Sequence, residues 1–214
     1  MSRHPAPDEL LLDYATGVLP EGPALAVALK LALDPEARRT VDRLRALGGA
    51  LLETEEAVGD VDLEGALARL DGVAVGPRPA PPMPQQGQAW APAPLRSYIV
   101  GKDWKRAFGG FERIELALHG DTHRVALLRL EPGKGLPLHK HVANEYTVVL
   151  QGGYTDNTGS YAVGDFAVGP GPQEHEPIAD PGEPCIALIV VEKPIVLTSK
   201  LGRWLNPLLR WGWM

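Results

Sequence analysis

The chain is expected to be an α+β protein of more than one unit: a small N-terminal helical bundle, then an antiparallel β-sandwich or barrel. Three observations lead there. Apolar residues recur at helical spacing as far as Leu70, short apolar or alternating runs bounded by turn residues fill the stretch from Phe111 to Val191, and a proline-dense segment separates the two textures. The units are expected at residues 1–75 and 95–198, with a linker at 76–94 and a tail at 199–214.

Asp8 can cap a first helix that carries Leu11, Leu12, Tyr14 and Ala15 and closes at Gly17. Residues 21–33 form a second helix, rich in Ala and Leu and apolar almost all round. Asp34 caps a third, with Pro35 in its first turn, that runs through Val41, Leu44, Leu47, Leu51 and Leu52 despite Gly48 and Gly49. Asp62 to Leu70 supplies a short fourth. So much apolar helix surface in a small unit without disulfides predicts a partner that buries part of it, with Leu29 and Leu33 facing that partner and Lys30 of little consequence.

The segment at 76–94 contains Pro77, Pro79, Pro81, Pro82, Pro84, Pro92 and Pro94 with Gln85, Gln86 and Gln88 between them. That composition favours extended polyproline geometry and is expected to hold the two units near one another without fusing their cores. Strands are expected at residues 111–118, 125–130, 146–151, 160–163, 166–168 and 185–191. The tail holds three of the five tryptophans and, interrupted by Gly202, Pro207 and Gly212, is expected to pack on the helical unit or on a partner rather than on a membrane.

A net charge of -6 gives no sign of a nucleic-acid-binding surface. The single cysteine, Cys185, excludes an internal disulfide, fits a reducing compartment and sits in an apolar run that reads as a buried strand. Residues 1–5 begin no signal peptide and no apolar stretch reaches the length of a membrane span, so a cytoplasmic protein is expected.

The chemistry concentrates in one stretch. Gly133 is followed after five residues by His139, then by His141, Glu145 and Gly152, and beyond them stand Gly164, Pro170 and His175. Three imidazoles and a carboxylate can hold a divalent metal. If Glu145 continues the extended segment of the two histidines, His139, His141 and Glu145 project to one face, and His175 closes the site from another strand. Zinc held by all four would have a closed tetrahedral shell at roughly 2.0–2.2 Å, suited to structure or sensing. Iron or manganese would keep open positions and suit an oxygenase, and nickel is also compatible with the ligands.

That spacing resembles the first cupin motif position for position. Gly164, Pro170 and His175 resemble the second, with Pro172 in place of its inner glycine and Ala179 in place of its terminal asparagine. The resemblance implies a small antiparallel barrel or jelly roll with His139, His141, Glu145 and His175 gathered inside it as metal ligands.

A helical module, a linker and a one-motif cupin in that order resemble the ChrR-type anti-sigma factors over nearly the whole chain. His4, DELLLDYATG at 8–17, LAVALKLAL at 25–33 and GGALLE at 48–53 carry the likeness in the helical half. In that family the helical module grips an extracytoplasmic-function sigma factor and blocks its access to core polymerase, while the cupin is associated with sensing, oxidants above all. The resemblance therefore implies a regulator with such a sigma factor as partner and zinc as the first choice of metal. Family members carry a second zinc motif in the helical module, but Lys30, Asp34 and Ala37 occupy its positions here, so one metal per chain is expected and none in the helical half. His4, left alone near the terminus, is expected to be solvated. The alternative reading is a metal-dependent cupin enzyme, a dioxygenase or isomerase of a small molecule with the helices serving dimerisation. No residue beyond the four ligands presents itself as a general acid or base; His119 and His123 fall in a turn where solvated histidines are ordinary.

Overall fold

Helix ends follow local sequence closely in the computed structural model, which describes residues 3–56, 59, 62–71, 88–107, 110–118, 120–169, 174–193 and 196–198. The expected linker over 76–87 and the tail over 199–214 lie outside those residues. α1 (Asp8–Thr16) closes on Gly17, whose left-handed φ of 77° lets its N–H reach back into the last turn. Asp8 is the first helical residue rather than the cap, which is Pro7, and with Glu9 it places negative charge at the positive end of the helix dipole. α2 (Glu21–Leu33) runs into Asp34, whose carboxylate accepts from the N–H groups of Glu36 and Ala37 and so starts α3 (Pro35–Leu52). α4 (Leu63–Asp71) follows. A fifth helix, α5 (Ala93–Ile99), begins inside the stretch expected to be linker, with Pro94 tolerated in its first turn and Leu95 and Ile99 fully buried.

The C-terminal half is antiparallel throughout. β1 (Lys105–Arg106), β2 (Glu112–Leu116), β3 (Arg124–Leu130), β5 (Glu145–Gln151), β8 (Phe166–Gly169) and β11 (Cys185–Val191) form a six-stranded sheet in the order β1-β2-β3-β11-β5-β8. Across the barrel, β10 (Ile178–Ala179), β6 (Gly153–Thr155) and β7 (Ser160–Ala162) make one small sheet. β12 (Val196–Leu197), β4 (His139–Lys140) and β9 (Glu174–His175) make another. All six expected strands form, with ends adjusted by a residue or two.

The large sheet is packed against helices on one face and lines the barrel interior with the other. Ile114, Leu127, Val148, Phe166, Leu188 and Val190 point one way and join Leu25, Ala26, Val27 and Leu29 of α2 and Leu95 and Ile99 of α5 in one core. Ala126, Leu128, Thr147, Ala187 and Ile189 point the other way, into the barrel. The two halves therefore share a core, contrary to the separate cores expected of a proline linker. α2 is apolar nearly all round because most of its surface is covered, Ala32 alone among residues 21–33 being exposed. Lifting it would expose at least Val27 and Leu29, each worth about 1.5–3 kcal/mol, so its seat on the sheet is a packed interface and not a tether.

Polar anchors add to that seat. The fully buried Lys30 ammonium pairs with Asp34 Oδ2 at 2.9 Å and donates to the carbonyls of Gly164 at 2.8 Å and His4 at 3.4 Å. Gly164, at φ 86°, turns its carbonyl towards α2 from the bend between β7 and β8. The next residue, Asp165, is buried and accepts from the N–H groups of Arg3, His4 and Ala162. The His4 ring lies 4.4 Å from that of Tyr161, with Nε2 3.2 Å from the Ser160 carbonyl, so this histidine is docked and not solvated. At the other end of α2, Asp121 Oδ2 accepts from Gly22 N at 2.5 Å.

Removing the ammonium would leave a buried carboxylate and two carbonyls with a lost donor. Lys30→Met should cost about 3–5 kcal/mol in urea denaturation, even though it preserves most of the volume. A loss below about 1 kcal/mol would show that the clamp contributes little beyond its methylenes.

Candidate metal centre

Pairing of β4 with β9 sets His139 directly opposite His175, so two imidazoles meet across two strands of the smallest sheet. His141 follows the end of β4, and Glu145 opens β5 in the large sheet. The three ligands of the first motif thus do not share one extended segment: the chain turns at residues 142–144 and crosses between sheets. They are nevertheless brought together with His175, and the candidate ligating atoms all lie within 4.8 Å of one another. Pro170 and Pro172 of the second motif lie outside the described residues.

Outer partners fix how the rings present themselves. His139 Nδ1 is 2.8 Å from the Pro137 carbonyl and His175 Nδ1 is 2.8 Å from Asp156 Oδ2. A carbonyl and a carboxylate only accept, so each Nδ1 carries the proton and each Nε2 is left with a bare lone pair. Those two lone pairs face each other, His175 Nε2 lying 3.0 Å from His139 Nε2, and His141 Nε2 lies 2.9 Å from His175 Nε2. Glu145 accepts from Thr147 through Oε1 at 2.8 Å and turns Oε2 to His141 Nε2, where it finds no well-formed hydrogen bond among the described residues. Facing lone pairs and a buried carboxylate oxygen repel unless a positive centre lies among them. The donor set therefore fits a divalent cation, with imidazole nitrogen and carboxylate oxygen of the kinds zinc takes.

Electrostatics favour the ligating forms. Burial, helped by the neighbouring His175, lowers the pKa of His139 to about 4. Burial pushes the Glu145 carboxyl upward, but the adjoining His141 imidazole and the Thr147 hydroxyl outweigh it, so the group stays below the usual carboxylate range. Asp156 is likewise held low against its burial by hydrogen bonds from Thr158 and His175. Burial raises the Cys185 thiol to about 12, as suits a core residue.

Asp156, Thr147 and the Pro137 carbonyl are the supporting groups that spacing did not single out. His123 is corrected as well. It is half-buried, with a side-chain exposure of 10%, and its Nδ1 lies 2.6 Å from Asp121, the carboxylate that anchors α2. His119 lies outside the described residues.

The model of the ChrR cupin-like domain matches residues 99–194. The anti-sigma-E factor ChrR of Cereibacter sphaeroides is 33% identical over 97% of this chain and 98% of its own. The chain belongs to the ChrR family of anti-sigma factors. The crystal structure of Rhodobacter sphaeroides SigE in complex with the anti-sigma ChrR superposes with a TM-score of 0.74 at 33% identity, covering 88% of this chain and 98% of that one. Membership of the ChrR family sets the protein among regulators and against the enzyme alternative. Among the described residues no single helix is long and apolar enough to cross a membrane.

The low pKa of His139 has a stability consequence whose sign is fixed. Between about 4 and the ordinary 6.5 the unfolded chain binds a proton that the folded chain does not, so stability rises with pH across that window. With chelator present, the urea midpoint should fall as pH drops from 6.5 towards 4, and the fall should be smaller in His139→Asn. Equal slopes in the two proteins would contradict the assignment.

Proposed function

We propose that this protein is an anti-sigma factor that sequesters an extracytoplasmic-function sigma factor through its helical half, with the cupin half as a metal-bearing sensor of oxidative or related stress. Kinship to ChrR along nearly the full length of both chains carries the reading. The metal ligands are His139, His141, Glu145 and His175, and zinc is the ion, because four protein ligands of these types complete its tetrahedral shell. No catalytic role is assigned to these residues, and the place of action is the cytoplasm, where a sigma factor meets polymerase.

A surface for the partner is at hand. Leu29, expected to face it, is fully buried on the barrel and Leu33 is half-buried, so α2 is taken up internally. Leu47, Leu51 and Leu52 at the end of α3 and Leu63, Leu67 and Leu70 along α4 are instead exposed. Positions 63, 67 and 70 form one stripe of α4, a helix that contributes nothing to the buried core. Two such rows supply the apolar centre of an interface of standard size, roughly 1,600 Å².

The sensor can reach the helices through the shared sheet. Glu145 and Thr147 of β5 face the barrel while Val148 and Leu150 of the same strand pack in the core with α2. A tenfold change in sigma affinity needs only about 1.4 kcal/mol of difference between two arrangements of that strand.

Co-expressed with extracytoplasmic-function sigma factors of the same cell, the full chain should retain one of them. Leu51→Glu combined with Leu67→Glu should weaken retention by at least about tenfold while metal content and melting temperature stay unchanged. Retention of none, or undiminished retention by the double variant, would overturn the reading or its surface respectively.

A further inference from the structure

β6 and β7 form a hairpin whose tip, residues 156–159, touches the metal cluster on one side and the N-terminal segment on the other. One carboxylate organises that tip. Asp156 Oδ1 accepts from Thr158 N at 2.7 Å, from Thr158 Oγ1 at 2.6 Å and from Gly159 N at 3.2 Å, while Asp156 N donates to the Gly159 carbonyl at 2.9 Å. Its second oxygen, Oδ2, holds His175 Nδ1 at 2.8 Å, and the neighbouring Asn157 Nδ2 donates to the Glu174 carbonyl at 3.0 Å. Among the described residues β9 pairs with β4 alone, so the hairpin tip is its second lateral hold.

The other side of the tip rests on His4. That ring lies 4.4 Å from the Tyr161 ring, its Nε2 is 3.2 Å from the Ser160 carbonyl, and a Cβ on Gly159 would stand 3.6 Å from its Cε1. The Thr158 hydroxyl spends its one proton on Asp156, so the Tyr161 hydroxyl, 2.9 Å away, donates to it. Ring contact and hydrogen bonds therefore run in one chain from His4 through Tyr161, Thr158 and Asp156 to His175, and such chains reinforce their members. His4 itself is fixed by its backbone: its N–H donates to Asp165 Oδ1 at 3.0 Å, and its carbonyl accepts from Phe166 N at 2.9 Å and from Lys30 Nζ of α2 at 3.4 Å.

We propose that His4 is a positioning residue of the metal centre: its ring seats the hairpin tip, and the tip fixes the ring of His175. The proposal rests on the metal-bearing cupin of the function above and adds a route, separate from the shared sheet, by which the N-terminal segment and the metal site act on one another. Linkage makes the effect mutual, so that a docked His4 tightens the hold on the metal and bound metal tightens the docking of His4.

The test uses the full chain loaded with zinc, metal per chain being measured first and zinc affinity read by competition with a chromophoric chelator. His4→Ala should weaken zinc at least about fivefold, and Asp156→Asn about 10–100-fold. In the double variant the loss should fall short of the product of the two, because His4 acts through Asp156. His4→Phe keeps a ring against Tyr161 and Gly159 and should recover most of the affinity. Tyr98→Phe removes a 2.8 Å hydrogen bond to Glu21 at the other end of α2, reports general loosening, and should leave zinc affinity unchanged. On the unaltered chain, chelation should speed amide exchange at Phe166, whose N–H the His4 carbonyl holds, by at least about fivefold. Unchanged affinity in His4→Ala, no recovery in His4→Phe, an equal loss in Tyr98→Phe, losses that simply multiply, or unchanged exchange at Phe166 would overturn the proposal. The last outcome is read on the unaltered protein, so a poorly folded variant cannot rescue it. A chain that takes up no zinc would overturn the metal-centre reading together with the proposal, whereas zinc uptake with full affinity in His4→Ala would sink the proposal alone.

Discussion

One sheet with two engaged faces governs this molecule. Antiparallel strands send alternate side chains to opposite sides, and here one side is packed under helices while the other lines the barrel. The outward residues of β2, β3, β5, β8 and β11 need a cover, which α2 and α5 provide, and the inward ones form the barrel wall. Because β11 lies between β3 and β5 in perfect alternation apart from one bulge near Ile186 and Ala187, a one-residue slip would exchange helix-facing and cavity-facing sets along much of the strand. Register, helix docking and ligand placement are therefore one constraint.

Polar groups sit where this arrangement would otherwise come apart. Lys30, Asp165 and Asp121 tie the N-terminal segment and both ends of α2 to turns of the barrel, and each is satisfied by partners from distant parts of the chain. The four-ligand cluster joins the large sheet to the smallest one in the same manner, through Glu145 on one side and His139 and His175 on the other. In each case a charge is held where a stray one would be expensive, which makes the geometry exacting.

The cluster of His139, His141, Glu145 and His175, which could hold a metal ion, is legible in the sequence because its residue types are restrictive and three of the four stand within seven residues. Five helices were read as four, because α5 is short and opens among prolines. The seven-residue strands β3, β5 and β11 declare themselves by their apolar runs; β4, β9, β10 and β12, two residues each, are too short to show a period. The docking of His4 and the clamp on Lys30 leave no local signal, because their partners Asp165 and Gly164 stand 161 and 134 residues away. The shared core, by contrast, had a signal. An α2 that is apolar on every side has no face left for water, and that feature outweighs what a proline-rich linker suggests about independence.

The central claim is that the metal cluster and the helices communicate through the sheet they share, and amide hydrogen exchange measures this most directly. Removing the metal from the full chain with a chelator should raise exchange in β5 and also in α2, by at least about tenfold, which corresponds to about 1.4 kcal/mol. An increase confined to β4, β9 and the turn at 142–144, with α2 unchanged, would contradict the claim.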